Sequence, residues 1–498
     1  LAAGTGIGLI GGKGFITFEQ FGAVRGDSSK SYASEIQEAL NFSAVNGVAI
    51  RDTGRYYIKG TDTLTIPGPS FAYPLVIDSE GLELDFSLRD SYADAVTVDF
   101  SGVTGALFCG GGSAGDEVAL SSANKGDSSI TATGLSAGQL LLIYSDDVKE
   151  GDTIPQKIGE LNYVRSIAGT TVNLVNKLSD TYATNPRFRV VTPLDGLKIK
   201  GLKMIGKGRP ASGRGDIGMS ILFSTNLDIL VDLENVDQVG VDLICCKQWN
   251  MGGFAKTQDL GGNPVTQYQY RYSSGSCDGD IKANGVMGRD TVIGGSNPAI
   301  PGINRNIKVN GHSSGCSLSG FAGHQSDTAI EYDVIAESTT NGVRLKTQGC
   351  KVKNGIFKEC SVGVLASKAV SDCSITNVLA ESCTTAILVS NEAAVTGVPS
   401  LQGINIGTVT TYDCGTTISC GGTATATPIS VYAGEVLSYR SKASGSTGAI
   451  IATGVSYLSV RSAKIVSPNN YAVRCSFGAT IYIETLEIFD QTSARILS

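Results

Sequence analysis

Short apolar runs alternate with glycine, asparagine, aspartate and serine along most of this chain. Five of them lie between positions 48 and 86, at Val48–Ile50, Tyr56–Ile58, Leu64–Ile66, Leu75–Ile77 and Leu82–Phe86. Runs of this length between turn residues are typical of strands. Apolar residues recur at helical spacing within Ser31–Asn46, and Ser31 at the start of this segment is expected to be the N-cap of a helix. The pattern therefore predicts an all-β protein with one short amphipathic helix.

The segment from Ile330 to Leu388 repeats itself. Val352–Leu365 aligns with Ile375–Leu388 at a shift of 23, which pairs apolar, asparagine and cysteine positions. The preceding Ile330–Val334 aligns with Val352–Ile356 at a shift of 22, and Tyr457–Ser467 aligns with Thr480–Asp490 at 23. A strand-containing period in the low twenties indicates coils stacked along an axis.

This period predicts a right-handed, single-stranded parallel β-helix. A leucine-rich repeat solenoid is the competing interpretation, but no LxxLxLxxN pattern recurs. Side chains one coil apart lie about 4.8 Å from each other, so Cys350 over Cys373 and Cys360 over Cys383 are expected to stack as free thiols. Asn354 over Asn377 is expected to form an amide ladder.

Changes in the pattern predict four regions. Residues 1–14 form a glycine-rich neck or linker, and 15–111 contain an N-terminal cap with the first coils. Residues 112–192 have longer alternating strands and are expected to be an inserted small β-barrel domain. Residues 193–498 continue the parallel β-helix to the end of the chain.

Composition and charge exclude several classes of function. The 498 residues include 63 glycines, which suits many tight corners, and the net charge of −7 disfavours a nucleic-acid partner. No apolar run reaches 18 residues, so we expect no membrane insertion. No signal peptide is recognisable, and we expect the chain to start within a longer polypeptide. Twelve cysteines and two histidines predict buried thiols, no metal and no cofactor.

The N-terminal residues resemble a known family. FEQFGAVRGDSS at 18–29, followed by SEIQEALNFS, YYIKG and LTIPG, resembles the N-terminal cap of pectate-lyase-like β-helices in bacteriophage tailspikes. The sequence departs from that pattern after Asp27, where SSKSYAS replaces a double aspartate. The glycine-rich neck and the insertion around GELNYVRSIAGTTVNLVNKLSDTY also resemble tailspike segments.

This resemblance implies a homotrimer that binds and endo-cleaves a bacterial surface polysaccharide, either capsule or O-antigen. It also implies a location in the virion tail, with attachment to the phage tail or baseplate through an N-terminal region that precedes this chain. Assembly would take place in the host cytoplasm, and the protein would act at the host cell surface.

Glycoside hydrolysis generally requires two carboxyl groups that flank the bond to be cleaved. In Gly323–Ser338, an inward-facing Ile330 and Val334 send Glu331 and Asp333 outward together. Asp327, close in sequence, is a further catalytic candidate, and His324 is expected to bind the substrate. One of the pair would protonate the leaving oxygen and the other would activate water. A solvated outer face with a surface histidine is the alternative for this segment.

A second candidate catalytic pair is Asp278 with Asp280, followed by Arg289, which is expected to bind the substrate, and by Asp290. A simple turn or a calcium site is the alternative there. Just before it, Tyr268, Tyr270 and Tyr272 alternate along TQYQYRYS and are expected to form a sugar-stacking platform, or else a sheet or trimer face.

Two other functions fit the same fold. A polysaccharide lyase would abstract a proton beside a uronate carboxylate by β-elimination. A non-catalytic glycan-binding adhesin or fibre would carry these carboxylates only as solvated groups. No Ser-His-Asp order, P-loop or HExxH motif supports acyl or phosphoryl transfer.

Overall fold

The structure is a computed structural model that describes residues 14–148, 156–208, 215–257, 268–295, 299–323, 327–346, 348–367, 370–391, 403–422, 429–442, 448–454, 456–468, 471–476, 478–489 and 495–497. Its chain divides into two units. Unit 1 comprises Leu1–Val148, Gln156–Lys282 and Ser296–Ile303, and unit 2 comprises Lys149–Pro155, Ala283–Gly295 and Asn304–Ser498.

The described elements are a 3-10 turn (Phe18–Phe21), one α-helix, α1 (Ala33–Asn46), and forty short strands. The first strands are β1 (Phe15–Ile16), β2 (Ala49–Ile50), β3 (Gly54–Tyr57), β4 (Leu64–Thr65), β5 (Val76–Asp85), β6 (Thr97–Asp99), β7 (Gly102–Thr104) and β8 (Phe108–Gly111). They are followed by β9 (Ser113–Ala114), β10 (Val118–Ala119), β11 (Ser129–Thr131), β12 (Leu140–Val148), β13 (Lys157–Ala168), β14 (Thr171–Leu174) and β15 (Arg187–Thr192).

The strands from 194 to 295 are β16 (Leu194–Asp195), β17 (Lys198–Ile205), β18 (Ile217–Leu222), β19 (Ser224–Glu234), β20 (Val239–Ile244), β21 (Lys247–Lys256), β22 (Tyr268–Ser273), β23 (Cys277–Val286) and β24 (Asp290–Gly295). The remaining strands are β25 (Arg305–Ser314), β26 (Ser319–Ala322), β27 (Thr328–Glu337), β28 (Asn341–Leu345), β29 (Lys351–Lys358), β30 (Val362–Ser367), β31 (Ser374–Glu381), β32 (Thr385–Asn391), β33 (Ile404–Tyr412), β34 (Thr416–Gly422), β35 (Ile429–Tyr439), β36 (Gly448–Thr453), β37 (Ser456–Val466), β38 (Tyr471–Ser476), β39 (Thr480–Phe489) and β40 (Arg495–Leu497).

The helix α1 lies where the sequence predicts it, but its N-terminus differs. Tyr32 is the N-cap and makes no side-chain capping bond. The Ser31 hydroxyl instead donates to Asp62 at 2.8 Å and accepts the Lys59 N–H at 3.1 Å, so the predicted serine cap is wrong. The buried face carries Ile36, Ala39, Leu40 and Ser43. No helix among the described residues has the length and apolar composition of a membrane span.

Unit 1 contains two parallel sheets. The first includes β1, β2, β3, β5, β16, β17, β19, β21 and the start of β23, and the second includes β4, β8, β18, β20 and β22. The chain alternates between the two sheets from β17 onward, so one strand from each sheet belongs to every coil. Inward side chains such as Ile199, Ile229 and Met251 are buried in the core.

Within residues 113–192 the strands are antiparallel. They run in the order β10, β15, β12, β13, β14 and β11, with β9 also paired to β15. Their own core includes Ile130, Leu141, Ile143, Val172 and Phe188. A separate core accounts for the longer alternating pattern of this segment, which departs from the repeat of the coils.

Unit 2 repeats the parallel pattern. One sheet contains β25, β27, β29, β31, β33, β35, β37 and β39, and the other contains β24, β26, β28, β30, β32, β34, β36, β38 and β40. Val352 pairs with Ile375 and Asn354 pairs with Asn377, as the repeat predicts. Tyr457 pairs with Thr480 at the same shift. The predicted parallel β-helix is therefore confirmed.

One predicted alignment is wrong. Tyr332, rather than Ile330, pairs with Val352, and Asp333 pairs with Asn354. The alignment of Ile330–Val334 with Val352–Ile356 fails because an irregularity between Tyr332 and Asp333 changes the register within the strand. Ile330 and Val334 nevertheless face the core, with exposures of 0% and 3%.

One corner of the coils in unit 2 is formed by a residue in the left-handed conformation. The series is Met287, Gly315, Ser338, Glu359, Ser382, Asp413, Arg440 and Ser467, all with positive φ. The backbone N–H of each corner but the last donates to the carbonyl that precedes the next corner, as Ser338 does to Lys358 at 2.9 Å and Glu359 does to Glu381 at 2.9 Å. These bonds satisfy the corner N–H groups and hold successive coils together.

Small residues follow these corners. Cys360, Cys383 and Cys414 each come directly after a left-handed residue and are buried. The Cys360 thiol lies 3.3 Å from the Thr339 hydroxyl of the preceding coil. The predicted stack of thiols is confirmed for Cys360 over Cys383 and for Cys350 over Cys373, because the two thiols of each pair contact each other and none of the four forms a disulfide.

Candidate active site

Three neighbouring strands of unit 1 share one backbone feature. Asn226 in β19, Gln248 in β21 and Asp278 in β23 have φ values of 53°, 57° and 55°. Asparagine and aspartate tolerate this left-handed conformation better than most residues. The three strands therefore turn in the same way, and their side chains emerge on one outer face.

The next two residues of each strand follow a common pattern of burial. Leu227, Trp249 and Gly279 are buried, and the residues after them are at least partly exposed: Asp228, Asn250 and Asp280. Together with Asn226, Gln248, Asp278 and Lys198, these residues line an open groove of about 400 Å³. We call it the acidic groove.

The floor of the acidic groove is an aromatic ring against a glycine. Trp249 is 2% exposed, and its ring centroid lies 6.2 Å from that of Tyr272. A Cβ on Gly279 would come within 2.2 Å of two Trp249 ring atoms. The glycine of the DGD sequence is therefore required by packing against the indole.

The three carboxylates of the acidic groove differ in their partners. Asp228 forms an ion pair with Lys200 at 2.7 Å. Asp278 forms a salt bridge with Lys247, whose side chain is 5% exposed. Asp280 has no ion pair or hydrogen bond with any described residue. Asp280 is thus the one carboxylate of the three that no described cation contacts.

The acidic groove also has a defined spacing. Asp278 and Asp280 are two residues apart on one strand, which separates their Cα atoms by about 6.5 Å. Asp228 lies two strands away from them, about 9.6 Å across the sheet. Carboxyl separations of about 6.5–9.5 Å suit an acid and a base with a water molecule between them.

Glu331 and Asp333 in unit 2 both face outward, as the sequence predicts. Glu331 is 3.7 Å from Lys351, and Asp333 accepts a 3.1 Å hydrogen bond from Asn354. Asn354 in turn accepts from Asn377 at 3.0 Å, so Asp333 ends the predicted amide ladder. Both carboxylates thus have partners on the sheet surface, and their catalytic role stays a prediction.

Asp327 is not accessible from the surface of the protein. It is fully buried and accepts a hydrogen bond from Asn304 at 2.8 Å. A polymer in solution has no access to it, so its predicted catalytic role is wrong. His324 lies outside the described residues.

The predicted tyrosine platform is also wrong for two of its three members. Tyr270 and Tyr272 have 0% exposure, and the Tyr270 hydroxyl donates to the Val231 carbonyl at 3.0 Å. Burial raises the pKa of Tyr270 well above its ordinary value. Tyr268 is partly buried against the core beneath it. The alternation of TQYQYRYS therefore marks an inward face of the β-helix, since Tyr is also an effective core residue.

Arg289 lies beside a buried acid. Its Nε atom is 3.7 Å from the carboxylate of Asp290, which has 0% exposure. Burial raises the pKa of Asp290 to about 6, against the opposing effect of Arg289. The side chain of Arg289 is partly exposed, and its predicted contact with substrate stays a prediction.

Sequence reasoning missed Asp228, Lys247 and the amides of the acidic groove. A sequence signal for this groove is a recurring triplet on consecutive strands of one sheet: NLD at 226–228, QWN at 248–250 and DGD at 278–280. The spacing between the three triplets is uneven, which hides the repeat. In the described part of the chain, no group of three or more His, Cys, Asp or Glu side chains is arranged to hold a metal ion.

Solved structures of similar fold include bacteriophage tailspikes. The tailspike gp49 of Pseudomonas phage LKA1 matches 97% of this chain and 81% of its own, with a TM-score of 0.56 and 14% identity. The tailspike gp61 of Pseudomonas phage phi297 matches 97% of this chain and 80% of its own, with a TM-score of 0.55 and 14% identity.

A third tailspike, gp54 of Acinetobacter baumannii phage AP22, was solved with a capsular saccharide. It covers 97% of this chain and 76% of its own at a TM-score of 0.49 and 14% identity. No family model matches the sequence, and no curated protein matches it either. The resemblance found in the N-terminal residues is thus confirmed for the fold, which this chain shares with tailspikes.

Proposed function

We propose that this chain is a tailspike depolymerase that binds a bacterial capsule or O-antigen polysaccharide and hydrolyses it within the acidic groove. The proposal includes a homotrimer carried on the virion tail. The main observation in its favour is the set of three outward carboxylates on one sheet face, of which two are ion-paired, whereas Asp280 pairs with no described residue. The shared fold with tailspikes is consistent with this function.

The partners of the carboxylates assign their roles. Asp280 carries a proton and donates it to the glycosidic oxygen as the bond to the anomeric carbon breaks. Asp278, held ionised by Lys247, takes a proton from water as the water oxygen attacks that carbon. One water molecule is consumed and one reducing end is formed.

The remaining groove residues bind the sugar. The amides of Asn226, Gln248 and Asn250 offer donors and acceptors to ring hydroxyls, and Asp228 accepts from a hydroxyl across the groove. An open groove suits cleavage within a long polymer. The substrate therefore is expected to shorten in large steps.

The experiment that tests this function is a screen of purified capsular and O-antigen polysaccharides, with polymer size measured by size-exclusion chromatography. We expect at least one polymer to shorten, and Asp280→Asn to slow the cleavage by at least about 100-fold. Glu331→Gln and Asp333→Asn are matched controls, because they remove outward carboxylates from the other predicted pair. Loss of cleavage in these variants, with Asp280→Asn fully active, would transfer the site to Glu331 and Asp333.

Product chemistry separates hydrolysis from the lyase alternative. A hydrolase yields saturated products, whereas elimination yields an unsaturated uronate that absorbs ultraviolet light. An absorbing product would assign elimination. Binding to a polymer that stays intact under all conditions would contradict the proposed enzyme and favour the adhesin.

A further inference from the structure

A buried lysine lies directly behind the acidic groove. Lys247 is the first residue of β21 and is 4% exposed. Burying an ammonium group is costly unless it is paired, because the charge loses its hydration. The Lys247 ammonium forms a salt bridge with Asp278 and lies 3.7 Å from the Cys277 sulfur.

The backbone brings these groups together. The Cys277 N–H donates to the Cys246 carbonyl at 2.8 Å, which sets the start of β23 beside the start of β21. Asp278 then adopts φ of 55°, and its carboxylate meets the Lys247 ammonium. Its side chain stays 35% exposed on the side of the groove. One carboxylate therefore contacts both the buried cation and solvent.

The electrostatics of this pair favour two charges. Burial alone lowers the pKa of Lys247, but the Cys277 thiol and the Asp278 carboxylate raise it above its ordinary value. A lysine that stays charged favours the ionised form of the carboxylate that it contacts. The other charged groups at the groove are Asp228, Asp280 and Lys198.

We infer that Lys247 is a positioning residue that keeps Asp278 ionised and aimed at the attacking water, and so makes Asp278 the base and leaves Asp280 as the acid. This inference rests on the proposed function, because it assigns roles within the same site. Lys247 itself contacts no substrate. Its effect is exerted through the salt bridge.

The test is the pH profile of kcat/KM for Lys247→Met and Lys247→Arg, with the polysaccharide that the wild-type protein shortens. Without the ammonium, Asp278 binds its proton more tightly, so the acid limb for Lys247→Met should move to higher pH by about one unit or more. At a pH below that limb, cleavage should fall at least about tenfold. Lys247→Arg keeps the charge and should retain most of the wild-type profile.

Lys203→Met is the matched control, because Lys203 forms a 2.6 Å ion pair with Glu234 on the same sheet but does not line the groove. It should leave the acid limb unchanged. A Lys247→Met protein with reduced cleavage but an unmoved acid limb would overturn the inference, since it would show a merely structural role. Folding is checked by circular dichroism, and Lys247→Gln, which also removes the charge, provides the same test if the methionine variant does not fold.

A second readout is independent of cleavage. Carbon-13 labelled aspartate, with Asp278→Asn to assign the signal, reports the titration of Asp278 by NMR. Asp278 should titrate at higher pH in Lys247→Met than in the wild type, and an unchanged titration contradicts the inference. If Asp280→Asn remains active, the proposed function fails even where the Asp278 titration moves as expected.

Discussion

The indole of Trp249 lies against the Cα atom of Gly279, with no room between them for a side chain. This contact fixes the distance between the Trp249 ring and the strand that carries Asp278 and Asp280. The aromatic ring and the glycine belong to neighbouring strands of one parallel sheet. The acidic groove therefore depends on a buried packing contact as well as on its charged residues.

Gly279→Ala should destabilise the protein and distort the acidic groove. The new Cβ would meet Trp249 ring atoms at 2.2 Å, so the ring or the strand must shift, at a cost of about 1–3 kcal/mol. Chemical denaturation measures this loss. Gly102→Ala is the control, because a Cβ there meets nothing within 4 Å. Equal stability of the two variants would contradict the packing argument.

The free energy of unfolding should depend on Asp290 in a defined pH window. Burial raises the pKa of Asp290 in the folded protein to about 6, from an ordinary value of 3.8. Its contribution to stability is complete below about pH 4 and is lost as pH rises through 6, because the folded state must then bury a charge. The loss amounts to at most about 3 kcal/mol.

Asp290→Asn removes that dependence. The variant should therefore gain stability relative to the wild type as pH rises from 4 to 8, measured by denaturation at each pH. Arg289, Arg344 and Lys346 oppose the effect by favouring the charged carboxylate. A difference between the two proteins that is constant with pH would show that Asp290 does not titrate in this window.

Tyr270→Phe tests the correction of the tyrosine platform. The change removes a buried hydrogen bond of 3.0 Å to the Val231 carbonyl and should cost about 1 kcal/mol of stability. Polysaccharide binding by the folded protein should not change. Tyr457→Phe, at a residue 39% exposed, should leave stability within about 0.5 kcal/mol of the wild type. Weaker glycan binding by Tyr270→Phe at unchanged stability would restore the sequence prediction.

The cysteines should all be in the thiol form. None of the twelve forms a disulfide, and all but Cys475 are buried. A thiol reagent added to the denatured protein without a reducing agent should count twelve thiols. The native protein should react first at Cys475, and added reductant should not change its unfolding midpoint. A count below twelve would reveal a disulfide.

Most of the fold could be predicted because the repeat encodes register. Apolar residues that recur at the same point of successive coils, such as Val352 and Ile375, pair in the structure as the alignment requires. The prediction failed between Tyr332 and Asp333, where the strand pairing shifts within one element. An irregularity of this kind changes pairing without changing which residues are apolar, so the sequence pattern does not reveal it.

The site was harder to predict than the fold. Asp278 and Asp280 could be found because two acids lie close in sequence, whereas Asp228 and Lys247 approach them only through pairing of separate strands. Burial was the other difficulty. Asp327 and Tyr270 carry suitable chemistry, but the alternation along a strand does not show which face is covered, and both prove to be buried.

The left-handed corners of unit 2 also bear on how such a protein can change over evolution. The interval between successive corners is not constant, since it is clearly shorter from Ser338 to Glu359 than from Ser382 to Asp413, although both coils close with the same hydrogen bond between corners. Additional residues are therefore accommodated elsewhere in the coil. The length of a coil can therefore change between its corners while the corners keep the same hydrogen bond and the core beneath them keeps its sequence pattern.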